Sequence, residues 1–74
     1  MLLVEAKLNT NLIVKNISAD EKNKLRLMEL GMLEGTQILV KHKSIMKKNL
    51  LVVFNHSCFT LNYDVAKNIE VNYA

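Results

Sequence analysis

Proline and tryptophan are absent from this 74-residue chain, cysteine occurs once and glycine only twice. Without proline, no proline-rich linker can join separate units. The single thiol, Cys58, excludes an intrachain disulfide and fits a reducing compartment. The aromatics are Phe54, Phe59, Tyr63 and Tyr73. They are too few for the stacking platform of a single-strand nucleic-acid binder. They are also too few for the aromatic groove that takes proline-rich peptides. Long apolar runs are missing too. Met1–Val4 and Leu50–Phe54 fall far short of the roughly 20 residues a membrane-spanning helix needs. The N-terminus has no basic stretch before its short apolar run, so it does not read as a signal peptide. The expectation is a soluble, unprocessed, cytoplasmic chain with no direct membrane insertion.

What is present is a chain whose residues are 50% apolar, enough for one small core. The length predicts a single domain over residues 1–74, near the lower end of independently stable folds. The formal charge is +3, with Lys41, Lys43, Lys47 and Lys48 gathered around one loop. Such a cluster suits nucleic acid, anionic lipid or an acidic protein face; a hairpin kept soluble by charge is the plainer reading. The basic residues match no known helical or zinc-finger reader, so no nucleic-acid partner is expected.

Both glycines fall in Leu25–Val40, LRLMELGMLEGTQILV. Gly31 follows a helix-like run, where a left-handed residue closes the last turn, and Gly35 precedes a β-rich segment. Leu12–Ile17 is β-branched and reads as a strand. Asn11 stands at its start as a candidate for positive φ. Ser18 or Asp20 can cap a helix running from Asp20-Glu21 to about Leu30. Thr36–Lys43 alternates, with Ile38 and Val40 on one face. Leu50–Phe54, Cys58–Leu61 and Ile69–Tyr73 read as further strands. Asn55-His56-Ser57 is a turn with no glycine to fix its type, and Asn62–Lys67 has room for one helical turn. Five short strands with one inserted helix predict a mainly β, strongly bent antiparallel barrel.

Catalysis fails on inventory, because a nucleophile needs a base and an orienting group. His56 and Cys58 share a face if the strand is extended, but a barrel this small leaves little room for a water-excluding pocket. The chain is therefore not expected to be an enzyme. His42, His56 and Cys58 are the candidate metal ligands, and a β-hairpin across Ser44–Asn49 could bring the two histidines together. No Cys-x-x-Cys or His-x-x-x-His spacing supports a closed site, so neither metal nor cofactor is expected. Cys58 is read instead as a small buried apolar residue and the histidines as exposed.

The helix carries more apolar surface than a small barrel can cover. Leu25, Leu27, Met28 and Leu30 spread over roughly 220° of its circumference, against about 100° for an ordinary amphipathic stripe. Leu27 and Leu30 are expected to face inward. Leu25 and Met28 are left outside, with Met32-Leu33 extending the patch. The expected partner surface is thus Leu25, Arg26, Met28, Glu29, Met32 and Leu33, with the two charges at its rim. The same patch, or a bare sheet edge, could also support a homo-oligomer.

Arg26-Leu27, Glu29-Leu30-Gly31 and Gly35-Thr36, followed by alternating apolar residues, resemble the FeoA family, ferrous iron transport protein A. Ala66, Ile69 and Val71 resemble its closing A-x-x-I-x-V segment, so the likeness covers about Ala6 to Tyr73. Glu34 stands where relatives often have proline. The resemblance implies an SH3-like barrel and a cytosolic accessory or regulatory role in bacterial ferrous iron uptake. The implied partner is the cytosolic part of the FeoB membrane transporter, so the protein would be peripheral to the inner membrane. The missing P-loop agrees with an accessory role. The alternatives are a stand-alone module like the C-terminal SH3-like domain of iron-dependent repressors, or a basic nucleic-acid-binding barrel.

Overall fold

The computed structural model describes residues 1–46 and 48–74. Lys47, counted above in the basic loop, lies outside them. Among the described residues the chain forms a 3-10 turn (Leu3–Glu5), strand β1 (Leu12–Ile17), helix α1 (Glu21–Glu29) and strands β2 (Gln37–Lys43), β3 (Asn49–Phe54) and β4 (Ser57–Asn62). A one-turn helix α2 (Tyr63–Ala66) and strand β5 (Ile69–Tyr73) complete it. The strands make one antiparallel sheet in the order β4-β3-β2-β1-β5. The helix lies between the first two strands in sequence, as expected.

Two register shifts bend the sheet. Between Val14 and Asn16 the β1–β5 pairing slips by one residue. An extra residue reverses the parity of a strand, so Ile17 rather than Asn16 is buried beyond Leu12 and Val14. β2 pairs with β1 through Gln37 and Ile38 and with β3 from Leu39 on, and a second shift, between Val40 and His42, falls within the β2–β3 pairing. Ile38 and Val40 point inward as their alternation requires, and beyond the shift Lys41 and His42 are exposed.

The core gathers Leu12, Val14, Ile38, Val40, Leu50, Val52, Leu61, Ile69 and Val71 from the strands. Leu3 and Ala6 join it from the N-terminal segment, a contribution the sequence reading did not assign. That segment also covers the outer edge of β5, through a Leu2–Glu70 bridge and a bond from Val71 N–H to Met1 O. Lys43 Nζ ties it to the β2–β3 hairpin by donating to Val4 O (2.9 Å) and Ala6 O (2.7 Å).

Asp20 is the N-cap of α1, its carboxylate accepting from Asn23 N–H at 2.9 Å. The two-residue β3–β4 turn has positive φ at both Asn55 and His56, as a type I′ turn demands even without glycine. The positive φ near the first strand falls on Asn9, not Asn11. Among the described residues no helix is long and apolar enough to cross a membrane.

Candidate docking face

The C-terminal end of α1 sets this surface. Met32 N–H donates to Leu27 O (2.9 Å) and Gly31 N–H to Met28 O (3.0 Å), with Gly31 at φ +97. This is the paired 6→1 and 5→2 bonding of a Schellman motif, which brings the second residue past the cap against the helix's last turn. Leu27 and Met32 are accordingly both buried. Thr36 Oγ1 accepts from Leu33 N–H (3.0 Å) and donates to Gly31 O (3.4 Å), bracing the corner from the strand side. Gly35, at φ +90, donates its N–H to Val14 O and hands the chain to β2.

Leu27 is the only buried residue within α1. Leu25 is 57% exposed, Met28 46% and Leu33 47%, and Arg26 and Glu29 are exposed beside them. Leu25 and Met28 are neighbours one turn apart. Met28 and Leu33 share a cleft of about 280 Å³ with Ile17, Lys24, Met32 and Glu34. None of the charged side chains of α1 joins an ion pair among the described residues, where the pairs are Lys15–Glu70 and Lys67–Asp64.

Two expectations need correction. Met32 does not extend the exposed patch, because the Schellman turn drives its side chain into the core at 0% exposure. Leu30 is not the inward partner of Leu27: it is the C-cap, 39% exposed, bordering a second cleft with Phe59 and Val65 on the other flank of α1. The signal was present in the sequence, since an apolar residue directly after a C-terminal glycine is the usual Schellman contact.

The candidate metal ligands are not brought together. His42 pairs with Leu51, whereas His56 sits in the turn beyond Phe54, about five strand residues away. At 3.3 Å per residue that is roughly 16 Å. Cys58 is exposed, not buried, because it lies on the outward face of edge strand β4. The described residues contain no group of three or more His, Cys, Asp or Glu side chains placed to hold a metal ion. His56 borders an open hollow of about 530 Å³, which neither Cys58 nor any carboxylate lines.

Comparison with known proteins agrees with this architecture. The FeoA domain model matches residues 1–73. A candidate Fe(2+) transport protein A of Campylobacter jejuni is 33% identical over 72 residues, 97% of both chains. FeoA from Chlorobium tepidum superposes with a TM-score of 0.91 at 26% identity, covering 99% of this chain and 70% of that one. Stenotrophomonas maltophilia FeoA, solved with zinc, gives 0.78 at 29% identity, covering 97% and 89%. It is described as a prokaryotic SH3 domain protein and a candidate activating factor of ferrous iron transport. At 17% identity, where likeness speaks for fold alone, a manganese-dependent transcriptional repressor contains the same fold, with a TM-score of 0.91 over 41% of its length. A five-stranded SH3-like barrel with one helix set between its first two strands, matched by family model over nearly its whole length, makes this chain a member of the FeoA domain family.

Proposed function

We propose that this chain is a cytosolic accessory protein of bacterial ferrous iron uptake, one domain over residues 1–74, acting by contact alone. Its partner is the cytosolic part of a FeoB-type membrane transporter, which would hold it peripheral to the inner membrane. Leu25, Met28 and Leu33 are the apolar anchors, and Arg26 and Glu29 orient the contact. The observation that carries this reading is a helix with one buried residue and two large apolar side chains facing outward, Leu25 and Met28. Isolated exposed apolar residues are ordinary, but here Met28 and Leu33 line one cleft and Leu25 lies one helical turn from Met28. Docking changes transport only if affinity differs between two states of the transporter, and no bond is made or broken by this chain.

Family membership favours this reading over a free-standing repressor module. The test is binding of the purified chain to detergent-solubilised transporter, with Leu25→Glu and Met28→Glu as variants. Both side chains are exposed, so folding should be unchanged while affinity falls at least about tenfold, as expected when an apolar anchor is replaced by charge. Normal affinity in both folded variants would sink the assignment.

A further inference from the structure

At the far end of β2 from the α1 corner, the β2–β3 hairpin presents Ile45 at 97% exposure and Met46 at 74%. These are the two most exposed large apolar residues among those described, and nothing in the fold requires them there. The base beneath them is built. Ser44 N–H donates to Asn49 O (3.0 Å), and Ser44 Oγ accepts from Lys48 N–H (2.8 Å) and Asn49 N–H (3.1 Å). Backbone donors at the neck are thereby satisfied within the chain, which an apolar medium demands. Lys41 and Lys48 flank the tip and are exposed, and Lys43 holds its charge at the base of the hairpin. Segment 41–48 contains four lysines and no acid. Two acids lie near the base of the hairpin rather than its tip: Glu5, which accepts from Leu2 N–H and borders a cleft with Lys43, and Asp64, which pairs with Lys67 and borders a cleft with Lys48.

We propose that this tip rests on an anionic phospholipid surface, with Ile45 and Met46 entering the interface and the flanking lysines meeting the headgroups. A convex apolar point would need a matching pit in a protein partner, whereas a bilayer accepts it without one. A collar of lysine complements anionic lipid. The contact crosses nothing, yet it departs from the expectation that a partner alone brings this chain to a membrane. It is independent of the transporter reading, because it uses the opposite end of β2 from α1.

The experiment is co-sedimentation of the full chain with vesicles of phosphatidylglycerol and phosphatidylcholine in equal parts, against phosphatidylcholine alone. The chain should pellet with the former only. Ile45→Ser with Met46→Ser, both at exposed positions, should lower partitioning at least about tenfold. Lys41→Gln and Lys48→Gln should each lower it about fivefold. Leu25→Glu should leave it unchanged. Because the chain lacks tryptophan, Ile45→Trp supplies a local probe whose emission should shift to the blue on the anionic vesicles. An unshifted emission, equal pelleting with both vesicles, full binding by the serine double variant, or loss of binding in Leu25→Glu would each overturn the proposal.

Discussion

Gly31 and Gly35 adopt nearly the same left-handed φ, yet their surroundings differ. A Cβ on Gly31 would lie 2.5 Å from Nδ2 of Asn55, whose amide donates to Gly31 O at 3.4 Å. A Cβ on Gly35 would meet nothing within 4 Å. Alanine at Gly35 should therefore cost about 1–2 kcal/mol from backbone strain, and alanine at Gly31 more, because the side chain of Asn55 must move and lose its bond. Asparagine, which tolerates this conformation better than other side chains, should recover part of that cost at Gly35. At Gly31 it should recover a similar part of the strain but none of the loss at Asn55, since both side chains carry the same Cβ. Urea unfolding of the four variants measures this, and equal losses for alanine at the two sites would refute the distinction. Both glycines were legible in sequence, since few other residues end a helix and turn a chain so cheaply. His56 was not: its positive φ comes from the demands of a two-residue hairpin, which the side chain does not advertise.

The strands and α1 were legible because their apolar spacing and caps coincide. Leu12–Ile17 and Ile69–Tyr73 form as expected, and Asp20 caps α1. Periodicity alone failed at the end of α1, where the Schellman turn takes over: Met32 fills the space beneath the helix and Leu30 is left outside. Residue type failed for Cys58, read as a small buried apolar residue, because the alternation of β4 turns Phe59 and Leu61 inward and Cys58 outward. The consequence for α1 is a weak attachment, resting on Leu27 from within the helix and Met32 just after it. Leu27→Ala should cost about 2–3 kcal/mol. The loss should concentrate in α1, whose amides should exchange rapidly while those of β3 keep their protection. Hydrogen exchange followed by NMR reads both; an even loss across the barrel would show that the helix is no separate unit.

Across the whole molecule, the two flanks of the sheet are finished differently. The outer edge of β5 is covered by the first residues of the chain, while β4 carries the exposed thiol of Cys58 and lies at the other edge. In the sequence Met1–Val4 could be judged only as too short to span a membrane, because covering an edge is a tertiary relation with no periodicity of its own. Leu3 is nonetheless as buried as any barrel residue, at 0% exposure, and the bonds from Lys43 to Val4 O and Ala6 O fasten that segment to the opposite hairpin. Leu3→Ala should then remove a full core side chain, costing about 2–4 kcal/mol and lowering the urea midpoint of the entire domain in one transition. Leu25→Ala, removing a side chain of the same size from the surface, should shift that midpoint by no more than about 0.5 kcal/mol equivalent. The pair separates a structural N-terminus from a decorative one. If both variants unfold with the wild type, the segment merely lies on the barrel, and β5 is in effect a second open edge.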